Sequence, residues 1–255
     1  MTEAEPRPAM GAVTRWAFVV FMLALTALFV SLGVWQVNRL GEKEALIAAV
    51  EERAGLDPVA LPPVAEWPAL DPESFDFRPI TVSGVYVPEA TVQVFTSLSD
   101  ARGPYGGAGY WLMTPLVLED GSGLIWVNRG FVPQDLAQDY RGGTDIAQQD
   151  VTLSGLARKP ELANTFTPPA DGDEGRDWIR DPQRLSEWLS PPLSELPVAP
   201  VTLDRFAGEA GELPQGGETV MSFSNRHLEY AGTWFAFALI TPLMLGYWFW
   251  RNRKA

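Results

Sequence analysis

The stretch NRHLEYAGTWFAFALITPLMLGYWFW, Asn225 to Trp250, decides how the chain is organised. From Tyr230 to Trp250 it carries no charged side chain. Glu229 stands before the run, and Arg251, Arg253 and Lys254 close it. A run of about 20 such residues crosses the ~30 Å hydrocarbon core of a bilayer as one helix. The only histidine, His227, sits at the mouth of this helix, with Arg226 beside it. On a helix the positions three, four and seven later share a face, which places Tyr230, Ala231 and Trp234 along the same strip as the imidazole.

A second apolar block runs from Trp16 to Val37, flanked by Arg15 and by Asn38-Arg39. It too is long enough to span. A cleaved signal peptide is the competing reading, but that would have a shorter apolar core ending in small residues. This block ends in LGVWQ, which favours a permanent anchor. Trp16, Trp35, Tyr230, Trp248 and Trp250 fall near the span ends, as an aromatic belt would.

Short flanking segments set orientation. The first carries Arg7 and Arg15, and the last carries three cations and no acid. Between the spans stand 14 Lys and Arg against 30 Asp and Glu. Both termini are therefore expected in the cytoplasm and the acidic middle outside. The net charge of −13 offers no basic stripe to nucleic acid. Cysteine is absent, so the chain forms no disulfide and no thiolate metal site. One histidine excludes a multi-histidine metal centre within the chain and leaves room for a single axial ligand to a cofactor that brings its own metal.

Taken in order, residues 1–14 read as a polar tail and 15–37 as the first transmembrane helix. Residues 38–76 read as a helical extension, weak at Gly41 and ending at Gly55, followed by a proline-rich extended linker. Residues 77–218 read as a β-rich domain. Period-two alternation puts Ile80, Val82 and Tyr86 on one face of a strand, and TVQVFTS (Thr91–Ser97) is a second. ARGPYGGAGY (Ala101–Tyr110) is a glycine-rich loop, with no Gly-Lys-Ser/Thr to make it a phosphate loop. Tyr110–Pro133 is a hairpin turning at EDGSG. Residues 134–150 read as a surface loop, Val151–Pro160 and Val198–Phe206 as further strands, and Asp181-Pro182 as the start of a short helix. Asn128-Arg129-Gly130 reads as a turn or strand-pairing device, with Arg129 left to bind a partner or to form a salt bridge. Residues 219–229 link to the second transmembrane helix, 230–250, and 251–255 form a tail. The expected fold class is two transmembrane α-helices flanking a mostly antiparallel β (α+β) extracytoplasmic domain of about five or six strands. Both spans must return to one membrane surface, so Trp35 and Gln36 are expected at the depth of His227 and Tyr230.

Three blocks resemble a known family. LGVWQVNRLGEKEALI (Leu32–Ile47), TPLVLEDGSGLIWVNRGFVP (Thr114–Pro133) and NRHLEYAGTWF (Asn225–Phe235) are similar, in that order, to the signatures of the surfeit-locus protein one family, the cytochrome c oxidase assembly factors. The one departure is Phe131, where the family commonly has tryptophan. The resemblance implies a non-enzymatic membrane assembly factor for a haem–copper terminal oxidase, in the inner membrane of a bacterium with its main domain periplasmic. It implies a chaperone that binds haem a transiently and assists its insertion into oxidase subunit I, with haem A synthase as a further partner. His227 is then the haem-iron ligand. The plain alternative is a hydrogen-bonded interfacial anchor. Trp234, Tyr230 and Trp35 could pack on the macrocycle, and Arg226, Arg39 and Lys43 could meet its propionates. Belt anchorage is the plain reading of Trp35, and interface marking that of Arg39 and Arg226. A scaffold that contacts oxidase subunits without touching haem is the second function class. A hydrolase is disfavoured, since no Gly-x-Ser-x-Gly elbow accompanies the histidine.

Overall fold

Alanine-, leucine- and valine-rich sequence from Ala12 to Ala54 forms one 43-residue helix, α1, in the computed structural model. The structure describes residues 11–172, 174–219 and 225–253. Arg7, Lys254 and residues 220–224 of the expected 219–229 link lie outside them. The helix passes through Gly41 unbroken. A single glycine costs about 1 kcal/mol, and the strong helix formers around it outweigh that. It stops where expected, at Gly55, whose N–H closes the last turn on Glu51 O (3.0 Å).

The proline-rich segment is more than an extended linker. It forms a two-residue strand, β1 (Val59–Ala60), a 3-10 turn at Val64–Ala69, and a short helix, α2 (Pro72–Phe75), capped by Asp71. Trp67 is buried in the core and donates its indole N–H to Pro62 O (2.8 Å). The apolar residues between the prolines need burial, and the fixed proline angles hold them against the sheet.

The main strands are β2 (Pro79–Tyr86), β3 (Val92–Leu98), β4 (Gly107–Leu118), β5 (Leu124–Pro133) and β6 (Asp150–Arg158). A two-residue β7 (Arg176–Asp177), a five-residue helix α3 (Pro182–Ser186) and β8 (Thr202–Arg205) follow. The expected α3 start holds: Asp181 accepts from Gln183 N (2.9 Å), with Pro182 in the first turn. Part of the expected glycine-rich loop, Gly107–Tyr110, belongs to β4. The 134–150 loop contains a 3-10 stretch at Ala137–Gly143, anchored by Gln93 Nε2 donating to Ala137 O (2.6 Å).

These strands close on themselves. β2 pairs with β6, β6 with β8, β8 with β5, β5 with β4, and the far end of β4 returns to β2. All of these pairs are antiparallel except β5–β8. β4 can serve two partners because it is long: Gly107–Met113 pairs with β3, and Leu116–Leu118 pairs with β2. Gly84 permits that return. A Cβ there would lie 2.1 Å from Val117 O, so any side chain would force β2 and β4 apart.

The expected alternation at Ile80, Val82 and Tyr86 faces the barrel core, together with Leu116, Ile125, Val127 and Leu203. Leu124, Trp126 and Phe131 face a second cluster with Val92, Val94, Trp111 and Leu185 of α3. β5 is thus covered on both faces, which is why LIWV reads as continuous apolar sequence. A bulge follows: Trp111 opposes Phe131 while Met113 opposes Asn128, leaving one extra residue on β5. Gly130 takes φ +141° there, and its N–H bonds Asn128 Oδ1 (3.1 Å).

The last element is a 26-residue helix, α4 (His227–Asn252), with Pro242 inside it. Both α1 and α4 are long and apolar enough to cross a membrane, and most of each apolar stretch is exposed, unlike the core helix of a water-soluble domain. The chain divides into two units, Val50–Met221 and Met1–Ala49 with Ser222–Ala255.

Candidate functional site

The candidate site grows out of the α1–α4 seam. Ala231, Trp234, Ala238, Thr241, Leu245 and Trp248 follow His227 at alternating spacings of four and three, the period of an antiparallel helix pair. The facing row on α1 is Phe18, Met22, Thr26, Phe29, Gly33 and Gln36. Phe18 meets Trp248 with ring centroids 5.1 Å apart. Thr26 Oγ1 and Thr241 Oγ1 lie 2.9 Å apart. Phe29 stacks on Trp234 at 5.8 Å and meets Phe237 at 5.5 Å. Gly33 admits the Phe235 ring so closely that a Cβ would fall 2.6 Å from it. At the end of the seam His227 Nδ1 lies 2.7 Å from Gln36 Oε1.

Of the residues singled out in sequence, His227 and Trp234 lie in this seam and are half-buried. Tyr230 and Trp35 are each 53% exposed and stand outside it. The helical period explains this. Position i+3 trails the residue at i by about 60°, whereas i+4 and i+7 fall within about 40°, and Trp35 is turned about 100° from Gln36. Arg226 is exposed and precedes the first turn of α4. Arg39 pairs with Glu42 one turn along α1, an exposed contact worth little and readily exchanged. Gln36, which the structure places on the imidazole, was not among the candidate ligands or pocket residues. The available signal was a carboxamide at the end of an otherwise apolar run, where a polar side chain must find a partner.

The donor chemistry suits haem. One imidazole has its Nδ1 engaged, its Nε2 has no partner among the described residues, and flat aromatic rings and guanidinium groups stand nearby. The seam itself is shut at Gly33 and Phe235, so a macrocycle would bind at its mouth or along its outer face rather than between the helices.

The β domain holds a second polar constellation that sequence reasoning did not assemble. Buried Asp204 accepts from Asn128 Nδ2 (3.0 Å), Arg180 Nη1 (3.2 Å) and Thr219 Oγ1 (2.9 Å), and Arg158 Nη1 lies 3.6 Å away. Burial alone would lower the Arg180 guanidinium, but the Asp204 and Glu161 carboxylates outweigh it and hold it above its ordinary value. Arg158 also donates to Asp76 Oδ1 (2.9 Å), and Asp76 O accepts from Arg53 Nη1 (2.9 Å) near the end of α1. Arg129 makes a two-pronged pair with Asp145 (2.7 and 2.9 Å) and donates to Thr114 Oγ1. These groups are satisfied by one another, which marks them as a structural network.

A closed β domain flanked along the chain by two helices of membrane-spanning length, with one imidazole at the mouth of the seam between those helices, describes the class of protein. The chain belongs to the SURF1 family, whose model matches residues 23–239. It is 29% identical to a SURF1-like protein of Monosiga brevicollis, over 96% of this chain and 89% of that one. It is 27% identical to mouse Surfeit locus protein 1 (90% and 74%) and 26% identical to the human one (91% and 76%).

Proposed function

We propose that this chain is a membrane-anchored, non-catalytic assembly factor for a haem–copper terminal oxidase, cytochrome c oxidase, and that it binds haem a and assists its insertion into subunit I. Family membership supports the assembly role. The observation that carries the haem reading is the His227–Gln36 bond at the end of an apolar helix pair, which engages one ring nitrogen and leaves the other. His227 would hold the iron. Trp234, Tyr230 and Trp35 would cover the macrocycle, and Arg226 and Arg39 would meet the propionates, Arg39 by exchanging Glu42. Haem supplies the visible absorption by which binding is read. In this reading α1 and α4 cross the bacterial inner membrane, both termini are cytoplasmic and the β domain is periplasmic. Haem A synthase would be the upstream partner.

The test is spectroscopic. The full chain, co-expressed with a haem a supply and purified in detergent, should carry a haem band, and His227→Ala should lose most of it. Equal haem in both would remove His227 as ligand. A second reading, a scaffold that contacts oxidase subunits and never touches haem, draws support from the shut seam at Gly33 and from the exposure of Trp35 and Tyr230. It predicts no haem band in the wild type while oxidase assembly still depends on the chain.

A further inference from the structure

We infer that Gln36 is a positioning residue that fixes the tautomer of His227, holding the proton on Nδ1 and the free lone pair on Nε2. The purpose of that arrangement rests on the haem reading above, but the arrangement itself does not.

Gln36 is 8% exposed, in a helix seam that is otherwise aromatic, aliphatic or threonine. A carboxamide there cannot turn to water, so its oxygen needs a donor within the protein. The partner is the Nδ1 of His227, at 2.7 Å. A carbonyl oxygen only accepts, so the nitrogen it meets must carry the hydrogen. A neutral imidazole has one ring proton. With that proton committed to Nδ1, Nε2 keeps its lone pair, and Nε2 is the nitrogen set farther from the backbone. The same bond fixes the ring plane, because it joins two helices that are locked at Gly33–Phe235 and at Thr26–Thr241. A hydrogen bond on the distal nitrogen also raises the basicity of the ligating one. The reverse arrangement, with the amide of Gln36 donating to Nδ1, would protonate Nε2 and disable it as a ligand.

The chain has one histidine, so no residue assignment is needed, and its two ring nitrogens are told apart by their couplings to the ring C–H protons. The full chain labelled with 15N-histidine, free of haem and in lipid nanodiscs, is measured at about pH 8.5, above the ordinary imidazole range. The wild type should show a protonated Nδ1 and a bare Nε2. Gln36→Met keeps the length of the side chain and removes the acceptor, so the proton should leave Nδ1 or be shared between the nitrogens. Gln36→Glu restores an acceptor and should restore the wild-type pattern. A wild type protonated at Nε2 overturns the inference, as does a Gln36→Met spectrum identical to wild type. If Gln36→Met does not fold, the wild type and Gln36→Glu still decide it.

On haem loading, Gln36→Met should bind about 10- to 100-fold more weakly, and Gln36→Glu should bind with a lowered reduction potential. A Gln36-dependent tautomer in a chain that takes up no haem would sink the haem reading alone. Haem bound through His227 with a tautomer indifferent to Gln36 would sink this inference alone.

Discussion

Arg129 is 2% exposed, and burying a guanidinium is tolerable only because each of its faces is answered. Asp145 takes both terminal nitrogens and Thr114 the Nε, while Thr91 backs Thr114 at 2.9 Å. Removing one partner strands the other charge, and breaking such a buried pair costs about 3–5 kcal/mol. Arg129→Ala should therefore lower the thermal midpoint of the β domain by about 10 °C, read by circular dichroism. Arg129→Met with Asp145→Leu should recover most of that loss, since neither charge is then left bare. The sequence allowed a salt bridge at Arg129 but gave no hint of Asp145, which lies 16 residues on in a stretch that reads as polar loop. The adjacent Gly130 is fixed by its φ of +141° and by Gln215, whose backbone a Cβ would strike at 2.5 Å.

At the scale of elements, the two long helices were visible as uncharged runs, and the strip through His227, Ala231 and Trp234 followed from the helical period. What the period could not give was which face of α1 answers it. The row through Phe18, Met22, Thr26, Phe29, Gly33 and Gln36 is known only from the packed pair. Gly33 is its tightest point. A Gly33→Leu side chain has no room against the Phe235 ring and should push the helices apart, whereas Gly232→Leu on α4, where a Cβ meets nothing within 4 Å, should not. The chain lacks cysteine, so a Thr26→Cys/Thr241→Cys pair can report this directly. Its disulfide yield under mild oxidation should fall with Gly33→Leu and hold with Gly232→Leu. Equal yields in both would show that the seam is not closed at Gly33. The strands were also visible: LIWVNRGFVP coincides with β5, and α3 begins at its cap. The 59–75 segment was not, because proline spacing marks where regular structure stops without saying what the residues between will pack on.

At the scale of the whole molecule, closure of the ring leaves β2, β4, β5, β6 and β8 with both edges paired, and the path Arg53–Asp76–Arg158–Asp204–Thr219, hydrogen-bonded except for the 3.6 Å ion pair between Arg158 and Asp204, joins the beginning of the β domain to its end. A domain with its own closed sheet and two apolar clusters has what it needs to fold without the apolar helices. A fragment of residues 50–219 should be soluble and unfold in one cooperative step. Asp204→Leu leaves Arg180 with Glu161 and Arg158 with Asp76, and takes the acceptor from Asn128 and Thr219; it should lower the urea midpoint well below that of the unsubstituted fragment. An insoluble or non-cooperative fragment would mean that the helices contribute to the core.

By itself the sequence determined the two apolar helices, the β character of what lies between them, the absence of thiol and multi-histidine chemistry, and the one imidazole on which a metal-bearing cofactor could rest. These follow from composition and local period, which act over a few residues. Closure of the sheet through Gly84, the bulge that turns Arg129 inward, the Asp204 network and the meeting of Gln36 with His227 were decided by tertiary structure alone. Each joins residues far apart in the chain, 191 positions in the last case, and only the packed molecule sets which distant polar groups must satisfy one another.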